Sequence, residues 1–202
     1  MTLLSLVGRF AVVLVFMVFM VSAVWASEPD TENASALENL LGDQASVAFL
    51  EGKFEQSKYI ADLDTTLDSS GHFSFVTDEG LRWNILKPVP TNLRITPNKI
   101  VEQQDGEEVM RVNVDEQPMT RAISEVFFAI FGGDWDALEE RFIIRSVQEE
   151  SPWRIELEPK DELLKSYLST IELQGSEYLE VLILSESNGD RTRIQLNDVK
   201  AR

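Results

Sequence analysis

The chain has 202 residues, with 35 acidic against 18 basic side chains, a formal charge of −17, one His and no Cys. That charge argues against nucleic acid and against docking on anionic lipid headgroups, since both call for positive surface. Without Cys there is no disulfide, no thiol nucleophile and no thiolate metal ligand, so stability must come from burial.

Arg9 is the only basic side chain before residues 10–21, FAVVLVFMVFMV, which hold no polar group. Val24 and Ala26 then occupy the small-residue positions read by signal peptidase before Ser27. This order predicts a secretory signal peptide over residues 1–26, removed after Ala26. The alternative is an uncleaved anchor, for which the run is short against the ~20 apolar residues a span requires. No Cys follows the site, so a lipidated new terminus is excluded. Residues 27–33 are polar and acidic and read as a flexible lead-in; residues 34–202 read as one domain. Over residues 34–50, Leu37, Leu40, Leu41 and Val47 recur near helical spacing, with Gly42 interrupting.

Beyond Gly52 the period changes to two. Phe73 and Phe75 alternate with His72 and Ser74; Leu81, Trp83 and Ile85 alternate with Arg82 and Asn84; Leu93 and Ile95 flank Arg94. Asp68-Ser69-Ser70-Gly71, Asp78-Glu79-Gly80, Pro88-Val89-Pro90 and Pro97-Asn98 read as the turns between these strands. Asp105-Gly106 predicts a hairpin between residues 99–104 and 107–113.

Pro118 suits a first helical turn and Gly132-Gly133 an ending, with Met119, Ile123, Val126, Phe127 and Ile130 as the apolar stripe and Phe128 and Phe131 widening it. Asp134 is a candidate cap for a second helix carrying Trp135 and Leu138. Strands resume at Phe142/Ile144 and at Trp153/Ile155/Leu157, residues 161–168 form a short helical connector, and three strands follow over residues 171–175, 178–185 and 191–196. Asn188-Gly189 predicts the last hairpin. The fold class is therefore mainly β (α+β): a strongly curved antiparallel sheet in an unclosed half-barrel, its concave face covered by a few helices.

Catalytic chemistry is thin. His72 lies alone on the face opposite the aromatics, and no G-x-S-x-G elbow occurs. Asp62, Asp64 and Asp68 lack the Gly and terminal Glu of a calcium loop. No enzyme, cofactor or metal is expected.

Gly52-Lys53-Phe54-Glu55-Gln56-Ser57-Lys58, Leu67-Asp68-Ser69-Ser70-Gly71-His72-Phe73, Gly80-Leu81-Arg82-Trp83 with Lys87-Pro88, and Gly132-Gly133-Asp134-Trp135 with Leu138 and Phe142 form an ordered series of motifs. The series resembles the periplasmic outer-membrane lipoprotein carriers, the LolA-like family, in a divergent branch, and the resemblance covers nearly all of the chain after residue 26. It implies a periplasmic, monomeric carrier whose hollow holds the acyl chains of a lipid or lipoprotein cargo, loaded from an inner-membrane exporter and delivered to an outer-membrane acceptor. The alternative is a sensing module that binds lipid or lipoprotein without transporting it. Carriers of this family place a lid-latching Arg in the segment matching residues 74–77, where this chain has none.

The expected hollow draws on Phe54, Phe73, Phe75, Leu81, Trp83, Ile85, Leu93, Ile95, Trp153 and Ile155 from the sheet and on Met119, Ile123, Phe127 and Phe131 from the helix. About half of the sheet positions are expected to touch ligand and the rest to be core; the helix is a candidate lid or an ordinary core helix. Period two places Phe54, Gln56 and Lys58 on one face. Lys58 then either meets a headgroup at the mouth or snorkels to solvent at the sheet edge.

Overall fold

The computed structural model describes residues 48–114 and 118–202. The signal peptide, the lead-in and all but the last residues of the expected first helix lie outside the described residues. Of that helix, Phe49 and Leu50 belong instead to the first strand.

Eleven strands form one sheet. They are β1 (Phe49–Ile60), β2 (Thr65–Val76), β3 (Gly80–Lys87), β4 (Thr91–Ile95), β5 (Lys99–Gln104), β6 (Glu107–Asn113), β7 (Phe142–Gln148), β8 (Trp153–Pro159), β9 (Leu168–Gly175), β10 (Leu179–Glu186) and β11 (Arg191–Ala201). Among the described residues the helices are α1 (Pro118–Gly132), α2 (Trp135–Arg141) and the single turn α3 (Glu162–Lys165). The order across the sheet is β6-β5-β4-β3-β2-β1-β11-β10-β9-β8-β7, so the edges β6 and β7 do not pair and the barrel stays open. Every junction is a hairpin between chain neighbours except β1–β11, which seams the two halves.

The β1–β2 hairpin is longer than its turn residues suggest. Asp68, Ser69, Ser70 and Gly71 lie within β2, opposite Ser57, Gln56, Glu55 and Phe54. Twelve residues paired on each side outweigh the local turn preference of that tetrapeptide. The chain reverses at Ala61–Leu63, a 3-10 turn whose Asp64 cap adopts φ 44°. Elsewhere the turn chemistry acts where expected: Gly189 takes φ 92° between β10 and β11.

One face of the sheet is apolar. Leu50, Phe54, Phe73, Phe75, Leu81, Trp83 and Ile95 on β1–β4 are buried in one cluster with Trp153, Ile155, Leu157, Ile171, Leu173, Leu182, Ile194 and Leu196 on β8–β11. α1 lies on this face. Its Phe131 touches Trp83 of β3, and its Ile123 shares a cavity wall with Leu182 of β10. β3 and β10 are four strand spacings apart in the sheet order, ~19 Å if the sheet were flat. A helix is only about 10 Å across, so the sheet must curl around α1 for both contacts to exist.

Gly71 shows how tightly β1, β2 and β3 close on one another. The Phe54 and Trp83 rings stack at 3.9 Å across β2, above the position Gly71 occupies between their strands. The register slips between Ser70 and Gly71, and a Cβ on Gly71 would lie 1.9 Å from the Asn84 carbonyl oxygen. Gly71→Ala is therefore expected to lower stability by about 3 kcal/mol, the upper range for overpacking. Thermal or urea unfolding of the variant measures it, and a loss below about 0.5 kcal/mol would contradict this reading of the bulge.

Candidate functional site: an apolar cavity beside α1

α1 is an amphipathic helix with too many aromatics for one neighbour, and it divides them between two surfaces. Toward β2 and β3, Phe131 packs against Phe73, Phe75 and Trp83, while Phe128 meets Phe75 edge-on. The buried Ser124 hydroxyl donates to the Thr96 carbonyl at 3.2 Å, fixing the same flank beside β4. Glu125 pairs with Arg141 of α2, and Asp134 caps α2 by accepting from the Ala137 N–H, which holds the helix pair together.

The other flank is not filled. Ile123, Val126, Phe127 and Ile130 face Leu182 and Leu184 of β10 across a cavity of about 200 Å³, bounded at the α3 end by Leu164, Tyr167 and Leu168. Asp161 caps α3 by accepting from the Leu164 N–H, which points Leu164 inward, fully buried, as the cavity's end wall. Tyr167 lines the cavity yet is 55% exposed, so the cavity opens beside α3. The Tyr167 carbonyl accepts from the Ser187 N–H at 2.9 Å, tying this rim to the β10–β11 hairpin.

The walls carry one carboxylate, Glu186. Its carboxylate accepts from the Lys58 ammonium at 2.8 Å, and Asp190 lies 3.9 Å from the same nitrogen. Phe54, Gln56 and Lys58 do share the inner face: in register they oppose Leu196, Ile194 and Thr192. The sheet-edge placement of Lys58 is not what the fold gives, because β1 is the central strand of the sheet. Nor does its ammonium stand alone at the mouth, where it balances two carboxylates.

Of the sequence-predicted positions, only Ile123 and Phe127 line this cavity. Phe54, Phe73, Phe75, Leu81, Trp83, Ile95 and Phe131 are buried in the adjoining aromatic core, where Phe131 stacks on Phe127 of the cavity wall, with Ile85 and Leu93 packed at its margin. Trp153 and Ile155 are likewise buried in the sheet core, and the indole of Trp153 donates to the Ser176 carbonyl at 2.9 Å. The side chain of Met119 lies outside the description. The sheet walls Leu182 and Leu184 and the end walls Leu164, Tyr167 and Leu168 were not singled out by the sequence. β10 reads LEVLILSE, apolar on both faces, so period two does not mark an inner set there.

Among the described residues no group of three or more His, Cys, Asp or Glu is placed to hold a metal ion. Asp68 accepts from the Ser57 hydroxyl at 2.6 Å and Asp64 from the Tyr59 hydroxyl at 3.0 Å. These carboxylates are used along the β1–β2 hairpin. His72 is exposed.

The family model described as outer membrane lipoprotein carrier protein LolA matches residues 45–202. Among solved structures, the chain is similar to a LolA superfamily protein from Nitrosomonas europaea, at 8% identity over 84% of this chain and 94% of that one, with a TM-score of 0.46. It is also similar to a DUF1329 family protein from Desulfovibrio piger, at 8% identity over 87% of this chain and 94% of that one, again with a TM-score of 0.46. A comparison with curated protein sequences finds no match. With the match running from before β1 to the final residue, the chain belongs to the LolA outer membrane lipoprotein carrier family.

Proposed function

We propose that the cavity beside α1 takes an acyl chain, and that the protein, once exported, carries a lipid or acylated lipoprotein across the periplasm between the inner and outer membranes. The observation that carries this reading is the cavity itself: aliphatic and aromatic walls, an opening beside α3, and one carboxylate already balanced by Lys58. Membership of a carrier family supports it, and the reading needs no enzymatic step.

The energetics agree. Taking a sixteen-carbon chain out of water contributes ~12 kcal/mol at ~0.8 kcal/mol per methylene, an interaction a shallow patch cannot replace. The apolar walls of the cavity favour an apolar occupant over water. An engineered apolar cavity of ~150 Å³ admits benzene. A whole acyl chain is much larger than benzene, so full loading requires α1 to move away from β10 and act as a lid. The aromatic contacts of Phe131 with β2 and β3 supply the hinge side for that motion.

Two substitutions separate cavity from core. Phe127→Glu places a charge on the cavity wall and is expected to weaken uptake of a fluorescent fatty acid at least tenfold while the far-ultraviolet circular dichroism stays β-like. Trp83→Ala is expected to cost about 3–5 kcal/mol of stability while uptake persists below the unfolding transition. The reverse pattern, binding lost in Trp83→Ala and kept in Phe127→Glu, would move the ligand into the aromatic cluster. Transfer of labelled lipid between two vesicle populations then tests carriage: a carrier accelerates it with protein concentration, whereas a sensing module binds without accelerating it.

A further inference from the structure

The outer face of β3–β6 holds a concentration of positive charge that the composition of the chain does not lead one to expect. Four of the 18 basic side chains, Arg82, Arg94, Lys99 and Arg111, line one groove of about 250 Å³, with Glu108 as its only acid. The sheet register orders the groove into two rows. Arg82 lies opposite Arg94, Arg94 opposite Val101, and Val101 opposite Arg111. In the next row Asn84 lies opposite Asn92, Asn92 opposite Gln103, and Gln103 opposite Glu108. A line of guanidinium groups thus runs beside a line of carboxamides, with the buried Val101 as floor.

Like charges placed directly opposite one another in a sheet are destabilising. Arg82 and Arg94 are such a pair, in a chain with about two acids for every base. The available acids relieve only the ends of the row. Glu79 pairs with Arg82 at 2.7 Å, and Glu108 accepts from Arg111 through both oxygens, at 2.7 and 2.5 Å. Hydrogen bonding from Arg111, with the Lys99 charge adding to it, holds Glu108 below the ordinary carboxylate range. Among the described residues no carboxylate lies within ion-pair distance of Arg94, at the centre of the row.

We propose that this groove is an oxyanion site that takes a phosphate group, with Arg94 as its centre. Glu108 already satisfies one guanidinium fork, which is all that a single carboxylate needs. The remaining donors, the fork of Arg94, the Arg82 nitrogens that Glu79 does not hold, the Lys99 ammonium and the amide row, suit the several oxygens of a phosphate, which guanidinium groups match in pairs. The net charge of −17 works against long-range attraction of anions. Recognition must therefore be short-range and multidentate, within the ~8 Å screening length of physiological salt. The groove lies on the opposite face of the sheet from the acyl cavity, so it is independent of that site. The phosphate is that of a lipid headgroup or of a small soluble phosphate.

The test uses the full chain, the double variant Arg82→Ala/Arg94→Ala, and Lys200→Ala as a control for loss of exposed positive charge elsewhere. Binding of inorganic phosphate is followed by calorimetry, and binding of vesicles by sedimentation, comparing phosphatidylcholine alone with phosphatidylcholine containing phosphatidylglycerol. The expected result is phosphate binding that weakens at least about tenfold in the double variant and is unchanged in Lys200→Ala. Vesicle binding that needs phosphatidylglycerol and is competed by inorganic phosphate assigns the headgroup as source. Phosphate binding without vesicle binding assigns a soluble phosphate. Binding of neither probe by the native chain, or equal losses in the double variant and in Lys200→Ala, would overturn the proposal.

Discussion

Among the described residues, one long helix, α1, and two short ones have to cover the apolar face of an eleven-stranded sheet, and most of the architecture follows from that mismatch. α1 has 15 residues, about 22 Å of helix at 1.5 Å per residue. Eleven strands laid flat would span ~50 Å. The sheet can bury its inner face only by curling around the helix. It does so unevenly: rings from β2 and β3 close onto Phe128 and Phe131, whereas the aliphatic side chains of β10 stop short of Ile123 and Phe127. The cavity is the remainder of this packing. Its position beside α1, rather than in a loop, follows from the choice of aromatic side chains on one half of the sheet and aliphatic ones on the other.

The electrostatics follow the same division. Inside, the Lys58–Glu186 pair joins the central strand to β10 at the cavity rim and cancels the one charge on its walls. Outside, acids dominate the chain, yet four cations gather on β3–β6. A net negative charge resists association with anionic surfaces in general. The basic groove is a local exception, and its amide row gives it more directional demand than a patch of lysines would have.

Much of the fold was legible in the sequence because its signals are local. Alternation marked the inner face of β1–β4 and β8, Asn188-Gly189 and Asp105-Gly106 marked hairpins, and Pro118 with Gly132 bracketed α1. Asp134 was readable as a cap because the Ala137 N–H at the start of α2 has no intrahelical partner of its own. Failures came where distant pairing decided the outcome. Asp68 to Gly71 carry turn residues, but twelve-residue strands on either side pull them into β2. Period two assigns a residue to a face and says nothing of where along that face the helix sits. Phe54 and Trp83 were therefore indistinguishable from cavity walls, and Leu182 and Leu184 were hidden in a strand apolar on both faces. The partners of Lys58 lie more than 120 residues away in the chain, with Glu186 at a separation of 128. No local pattern could have supplied them.

The central claim, that an acyl chain occupies the space between α1 and β10, is met most directly by mass spectrometry of lipids extracted from the protein after purification from its native compartment. The account predicts one class of acyl-bearing molecule at close to one per protein, reduced by Phe127→Glu. A protein that emerges free of lipid, and takes up none when it is offered, would contradict it.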